Sequence, residues 1–319
     1  MSSFLLSICI PSVNLSEISK QLASVVKLTL AYRDKVEILV KLDKSSEEDG
    51  ATLKKLALQN SVKFIEQTNE GFDLDIGKLI TSAHGEYVWI LSSNDLLDED
   101  AISNVLKYLT TNEYDLIFLN SRTPNSDNLA VAIASNVVLS GLGETLQLIG
   151  TRMSLVTSIV FRNSREKATL AAYEKYSYSA VAFLIFPFSW LSAGGKTFVI
   201  AKPQFTNFVH ELGVGETTYY NGYNTFGLVL WDLVADYTSI GQDRQSRAFL
   251  IKNFGHIWRG SIIDWIRREK PRPVGDIWRL RRYRISREYW PALFLTAMPK
   301  FLVKFMLMLY KIVVRSHYL

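Results

Sequence analysis

The chain has 319 residues, 48% hydrophobic and 21% charged, with a mean hydropathy of +0.08. It is too apolar for a disordered or fibrous protein and long enough for two domains, or for one large α/β domain with an extension. Its single cysteine, Cys9, excludes an internal disulfide and any cysteine-built metal site and fits a reducing compartment, while the net charge of +5 divides unevenly: residues 257–319 carry 14 Lys and Arg against 4 Asp and Glu, leaving 22 against 27 for residues 1–256.

The apolar opening, residues 4–10, has no early Lys or Arg and reads as a strand rather than a secretory signal. Residues 15–32 have helical spacing, 36–42 are strand-like, the charged stretch 47–59 reads as a helix, and 62–65 as a third strand. A helix around 76–83, a strand 87–91, a helix near 99–109 capped by Asp98, and a strand 116–119 continue the rhythm. The expectation is five parallel-type strands within the first 120 residues, with helices on both faces.

After Asn120 the rhythm breaks. A polar loop 121–128, an apolar stretch 129–133, a helix near 142–149 and a strand 155–161 predict a mixed sheet. Residues 165–192 read as helical, with Tyr173, Tyr176, Tyr178, Phe183 and Phe186 as a core stripe or, alternatively, a platform for sugars. Gly194-Gly195 ends that segment, 197–201 is a short strand, 210–227 a Gly-rich aromatic loop, and 228–268 helical.

Nine Lys and Arg between Arg267 and Arg287 precede Tyr289-Trp290-Pro291 and a run, 292–314, that is apolar apart from Thr296, Pro299, Lys300, Lys304 and Lys311. Pro299 and the lysines argue against a spanning helix and for an amphipathic helix lying on an anionic membrane surface. Packing of the tail on its own domain, or in a dimer, is the alternative. The same cations would suit nucleic acid, but the apolar run and the acidic first 256 residues do not, and no nucleic-acid motif is present.

Ligands of open parallel sheets bind outside the carboxyl ends of the strands, so the residues just after each strand are the candidates for chemistry. They read Pro11-Ser12-Val13-Asn14, Asp43-Lys44-Ser45-Ser46 and Ser92-Ser93-Asn94-Asp95, with Asn69-Glu70-Gly71 ahead of the fourth strand. Taken with Ser7-Ile8-Cys9-Ile10, Glu37-Ile38-Leu39-Val40-Lys41-Leu42 and Gly85-Glu86-Tyr87, these segments resemble, in order and at family spacing, the motifs of the family 2 glycosyltransferases. Within that family the chain is similar to bacterial enzymes of O-antigen and capsule synthesis, including the abequosyltransferase-like branch.

The resemblance, carried by about residues 4–100 and fading after residue 165, implies a GT-A (Rossmann-like) α/β nucleotide-sugar domain. With the patterning and composition of the rest of the chain, the expectation is a mixed sheet with a donor half 1–120 and an acceptor half 121–227, followed by a helical, basic, amphipathic, membrane-associating region 228–319. The resemblance implies nucleotide contacts from Pro11, Ser12, Asn14, Asp43, Asn69, Gly71, Ser93 and Asn94. Asp43 would accept an N–H of the base and Pro11 would wall the nucleotide, although Pro11 and Asn14 also fit ordinary turn chemistry. It further implies Mg²⁺ or Mn²⁺, for which Asn94, Asp95 and His210 are the candidate residues, His210 also standing to contact the diphosphate. Asp95 reads equally as a helix cap or turn residue, and a lone histidine is commonly structural.

The chain departs from the family pattern at Leu42, which replaces an Asp, and at Ser92, Ser93 and Asn94, which replace "D-x-D". No "E-D" signature marks the general base. Glu174 is the first candidate and Glu211 and Glu216 the next, each also readable as a solvated carboxylate, and Tyr219-Tyr220-Asn221-Gly222-Tyr223-Asn224 would form an acceptor or lid loop or, equally, a loop packed under the C-terminal helices. The expected activity is transfer of a hexosyl or deoxyhexosyl group from a nucleoside-diphosphate sugar to a polyprenyl-diphosphate-linked saccharide on the cytoplasmic face of the plasma membrane. The alternative is a non-catalytic nucleotide-sugar-binding or scaffold protein of the same assembly.

Overall fold

A computed structural model describes residues 4–11, 15–43, 62–67, 70–92, 94–124, 128–177, 179, 181–207, 233, 236, 289–306 and 308. The expected helix 47–59, the loop 210–227 and the helical stretch 228–268, except Leu233 and Asp236, lie outside the described residues.

Four parallel strands, β1 (Leu6–Ile10), β2 (Val36–Asp43), β3 (Val62–Gln67) and β4 (Tyr87–Ile90), stand in the order β3-β2-β1-β4. All five residues of β1 and all four of β4 are buried, so both faces of the sheet are covered, which is why these segments read as unbroken apolar runs. Successive side chains alternate between two cores. Ile8, Ile38, Val40 and Trp89 meet α1 (Leu15–Thr29) and α3 (Ala101–Leu109) on one face, and Cys9, Leu39, Val88 and Ile90 meet α2 (Phe72–Ser82) on the other. Helix α1 buries Ile18, Leu22, Val25 and Val26, the spacing of one helical face.

The remaining strands are β5 (Leu96–Leu97), β6 (Leu116–Arg122), β7 (Val137–Ser140), β8 (Ile159–Arg162) and β9 (Lys196–Thr206). Strand β8 enters antiparallel between β4 and β6, β9 lies parallel to β6, and β5 and β7 pair antiparallel with opposite ends of β9. The mixed sheet follows the expectation, and β6 points the same way as β1 to β4. It is not their neighbour, however, because β8 separates it from β4. The segments α4 (Gly141–Leu148), α5 (Lys167–Tyr176), α6 (Ile185–Ser192) and α7 (Tyr289–Ala297) complete the described helices, with a further helical stretch at 300–306.

Several boundaries differ from the sequence reading for local reasons. The expected strand 155–161 begins only at Ile159, because 3₁₀ turns Gly150–Ser154 and Val156–Ser158 take its first half. Asp98 does not cap α3: Asp100 holds that position, and the Asp98 carboxylate accepts two bonds from Arg122, at 2.6 and 2.9 Å. The helix expected over 165–192 breaks after Tyr176, where the Glu174 carbonyl accepts the Ser177 hydroxyl at 2.7 Å, and resumes in α6, whose first turn accommodates Pro187.

In that region Tyr173, Phe183 and Phe186 are buried, the Phe186 ring stacking on Phe161 at 5.7 Å, so these three form core rather than a sugar platform. Tyr176 is half-buried and bonds Asp236, while Tyr178 lies outside the described residues. Strand β9 runs on past Ala201 through Pro203. Its register with β6 shifts between Leu119 and Ser121, and the buried Asn120 side chain bridges the irregularity by donating to Val131 O (2.7 Å) and Ala201 O (3.0 Å).

Candidate functional site

At the amino ends of β1 and β2 the family-like residues build a clamp. The buried Glu37 carboxylate accepts the Ser7 hydroxyl and the His84 N–H, each at 2.5 Å, and the Gly85 N–H at 3.1 Å. Gly85 also donates to Ser7 Oγ at 2.7 Å, and a Cβ on it would stand 2.5 Å from the Ser7 amide, so only glycine fits. These residues tie β1, β2 and β4 together and lie away from the strands' carboxyl ends.

The carboxyl ends of β1, β2 and β4 align along the other edge. Pro11 is buried just beyond β1. After β4 the chain passes through Leu91 and Ser92 into a tight turn in which Asp95 N–H donates to Ser92 O at 3.3 Å. The turn is held from two sides. Gln21 of α1 donates its amide to Ser92 O, with a longer contact to Asp95 O at 3.4 Å, while Thr157 Oγ1 accepts the Ser92 N–H at 3.0 Å. Trp89, fully buried on β4, fixes Thr157 in turn by donating its indole N–H to the Thr157 carbonyl at 2.9 Å. Asn94 is half-buried in the turn and Asp95 buried, immediately before β5 and not at a helix start.

At the same carboxyl edge, after β3, Gly71 precedes α2, and its φ of 107° and ψ of 159° explain the glycine of the Asn69-Glu70-Gly71 motif. Two aspartates of the first turn of α2, Asp73 and Asp75, are buried. Asp75 pairs at 2.5 Å with Lys41, a lysine with no exposed surface two residues before the end of β2. Tyr173 packs its ring against Gly77, where a Cβ would stand 2.7 Å from it, and donates its hydroxyl to the Asp73 carbonyl. Burial, with the charge of Asp73 second, holds the Tyr173 hydroxyl well above its ordinary range, and burial likewise pushes up the Cys9 thiol. Both stay protonated near neutrality, which excludes Cys9 as a nucleophile.

Three buried polar atoms at this edge, Gln21 Oε1, Asp75 Oδ1 and Ser158 Oγ, have no hydrogen-bond partner among the described residues. Orphans of the same kind also occur away from this edge, at Asn163 Oδ1 and Ser192 Oγ, so these three show room for water or polar ligand groups without singling out a site.

Of the sequence-predicted site residues, Pro11, Gly71, Asn94 and Asp95 fall on this edge, and β2 brings the backbone of Asp43 to it. Glu174 is exposed on α5, one residue after Tyr173. The Asp43 side chain and Ser12, Asn14, Asn69, Ser93, His210, Glu211 and Glu216 lie outside the described residues, as does the loop around Tyr219. Gln21, Lys41, Asp75 and Thr157 escape the motif reading. Only Lys41 carries a signal of its own, a basic residue inside the apolar run 38–42 of β2.

Among the described residues no group of three or more His, Cys, Asp or Glu side chains is placed to hold a metal ion. Asn94 and Asp95 nevertheless offer an amide carbonyl and a carboxylate on adjacent residues, hard oxygens of the kind Mg²⁺ and Mn²⁺ prefer, and would leave most of the coordination to phosphates and water.

Residues 7–171 match the family model described as glycosyl transferase family 2. Among solved structures, residues 1–349 of S. aureus TarS superpose with a TM-score of 0.65 at 13% identity, over 91% of this chain and 83% of that one. The same protein in complex with UDP-GlcNAc gives 0.63 at 15% identity, over 91% and 84%. The mannosyltransferase PcManGT from Pyrobaculum calidifontis, in complex with GDP-Man and Mn²⁺, gives 0.51 at 13% identity, over 92% and 84%. No curated protein matches the chain in sequence. The sheet is a GT-A glycosyltransferase sheet with a helical C-terminal part.

Proposed function

This chain belongs to glycosyl transferase family 2, and we propose that it moves a hexosyl or deoxyhexosyl group from a nucleoside-diphosphate sugar to a polyprenyl-diphosphate-linked saccharide in bacterial surface polysaccharide synthesis. The observation that carries the reading is the alignment of the carboxyl ends of β1, β2 and β4 along one edge, with the braced turn Ser92 to Asp95 following β4, within the matched segment. Ligands of parallel α/β sheets bind at such an edge. The motifs resembling those of O-antigen and capsule enzymes support the choice of acceptor, and the relatives solved with UDP-GlcNAc and GDP-Man support a nucleotide-sugar donor.

In this reading the donor half is 1–120 and the acceptor half 121–227. Pro11, Ser12, Asn14, Asn69, Gly71 and Ser93 surround the nucleotide, and Asp43 accepts an N–H of its base. Asn94 and Asp95 would hold a Mg²⁺ or Mn²⁺ ion, which supplies positive charge where the diphosphate leaves. Gln21 and Thr157 fix the turn that carries both residues. The acceptor hydroxyl must lose a proton as its oxygen attacks, and Glu174, Glu211 and Glu216 are the carboxylates proposed to take it, with His210 at the departing diphosphate.

Asp43→Ala is expected to weaken nucleotide binding about 10- to 150-fold, the equivalent of one charge-assisted hydrogen bond of about 1.5–3 kcal/mol. Calorimetric titration with UDP and with GDP measures it, and unchanged affinity in a folded variant removes Asp43 from the site. Asn94→Asp is expected to tighten Mn²⁺ binding and raise turnover by restoring a second anionic oxygen; if both stay as in the parent, the cation is held elsewhere.

The function itself is tested by a thermal-shift panel of nucleotide sugars with and without Mn²⁺, followed by transfer assays with the stabilising donor and a polyprenyl-diphosphate saccharide. A stabilising donor with no transfer or hydrolysis would favour the non-catalytic alternative, for which Leu42, Ser92 and Asn94 are the motivation.

A further inference from the structure

The C-terminal helical segment has two faces at helical spacing. Tyr289, Thr296 and Val303 are buried, and Tyr289 and Leu293 pack into the core formed by α2 and α4 to α6, so one face is spent on the domain. The other carries Trp290, Phe294, Phe301, Phe305 and Met308, with between 51% and 68% of their surface exposed. Trp290 and Phe294 are four apart on α7, Phe301 and Phe305 are four apart on the stretch 300–306, and Met308 lies three further on, so each of the two helical stretches, separated at Met298-Pro299, displays large exposed apolar groups at helical spacing. An exposed apolar patch of this kind marks an interaction surface.

Charge selects the partner. Lys300 and Lys304 lie in the same segment, and residues 257–319 as a whole carry a net charge of +10. Pairing with a second copy through this face would bring two such segments together, with repulsion to overcome before any apolar gain. An anionic bilayer accepts both features, since phosphate headgroups attract the cations and the acyl boundary takes aromatic side chains. No helix among the described residues is long and apolar enough to cross a membrane.

We propose that the exposed groups Trp290, Phe294, Phe301, Phe305 and Met308 form a monotopic membrane face that seats the catalytic domain on anionic lipid. The face binds lipid whether or not the domain transfers sugar, so failure of one reading leaves the other standing. Because Tyr289 and Leu293 belong to the same core as α2, attachment would fix how the domain stands over the bilayer instead of leaving it on a loose tether.

The test is flotation of the full chain with vesicles of pure phosphatidylcholine and of phosphatidylcholine with phosphatidylglycerol. The parent is expected to float with the anionic vesicles and to remain below with the neutral ones. Phe294→Ser/Phe301→Ser/Phe305→Ser is expected to lower partitioning by about tenfold or more, as loss of apolar insertion predicts. Lys300→Ala/Lys304→Ala should lower it by roughly fivefold per charge. Phe294, Phe301, Lys304 and Phe305 are exposed and Lys300 is half-buried, so the thermal unfolding temperature of the triple Ser variant and of Lys304→Ala alone should be unchanged, which separates lost binding from lost fold. The proposal is overturned if the parent stays in the soluble fraction with both vesicle types, or if the triple Ser variant floats as well as the parent. A dimer in sedimentation velocity that the triple Ser variant abolishes, without vesicle binding by the parent, would assign the face to a second copy.

Discussion

Lys41→Met is expected to destabilise the protein by about 3–5 kcal/mol, the cost of leaving one member of a buried ion pair behind. Lys41 has no exposed surface and its only charged partner among the described residues is Asp75 at 2.5 Å. Met fills nearly the same volume, so packing loss is small and the effect isolates the charge. After the substitution Asp75 keeps one benefit, its place in the positive first turn of α2, worth about 0.3–1 kcal/mol and up to about 2 when partly buried, which moves the expectation toward the lower end of the range. Adding Asp75→Leu should recover most of the loss, because an apolar pair in place of a buried ionic one is commonly neutral or stabilising. Urea unfolding of the parent, the two single variants and the double variant closes the cycle. A cost below about 1 kcal/mol for Lys41→Met would show that the pair carries little of the fold, since truncating a buried pair ordinarily costs several times that.

Trp89→Ala should cost about 3–5 kcal/mol, the usual penalty for emptying a large buried aromatic site. Its second consequence bears on the ligand edge. The indole orients Thr157, and Thr157 holds the Ser92 amide, so the turn carrying Asn94 and Asp95 depends on a side chain buried in the sheet. Trp89→Phe separates the two effects. It keeps most of the apolar volume but leaves the Thr157 carbonyl without its donor, about 1–3 kcal/mol in stability, and it should weaken nucleotide binding beyond what the stability loss alone entails. Unfolding curves together with calorimetric titration of UDP and GDP decide it. Equal nucleotide affinity in parent and Trp89→Phe would mean that the turn is held well enough from the Gln21 side alone.

Much of the first sheet was legible because its residues obey local rules. Strands buried on both faces read as apolar runs, α1 and α3 as helical stripes, and Gly71 and Gly85 stand where backbone angle or crowding leaves room for nothing else. The motifs also contained more architecture than chemistry. Ser7, Glu37 and Gly85 resemble family signatures, yet they build the clamp at the amino ends of the strands, remote from the ligand edge. What escaped reading depends on partners distant in sequence. Thr157 looks like any threonine until Trp89 and Ser92 meet it, and Asp75 looks like a solvated helix residue until Lys41 is buried beneath it. The short strands β5 and β7 have too few residues to show a period of two, and they exist because the long β9 offers them an edge. The antiparallel entry of β8 rests on pairing with β4 and β6, strands more than 35 residues distant, which hydrophobic patterning along the chain does not encode.

That entry has a consequence for how the protein is made. During synthesis β1 to β4 and then β6 leave the ribosome before the strand that joins them, so a nascent chain ending anywhere between residues 123 and 158 presents β4 and β6 as two open hydrophobic edges. Neither can satisfy its backbone until residues 159–162 arrive, and β6 waits longer still for the pairing that β9 brings. Folding is thereby delayed until about two thirds of the chain has emerged, the situation in which long-range strand pairing makes a polypeptide slow to close and dependent on chaperones. A truncation in that interval yields a four-stranded sheet with an open β4 edge and a β6 with no strand partner, a poor starting point for any attempt to express the nucleotide half alone.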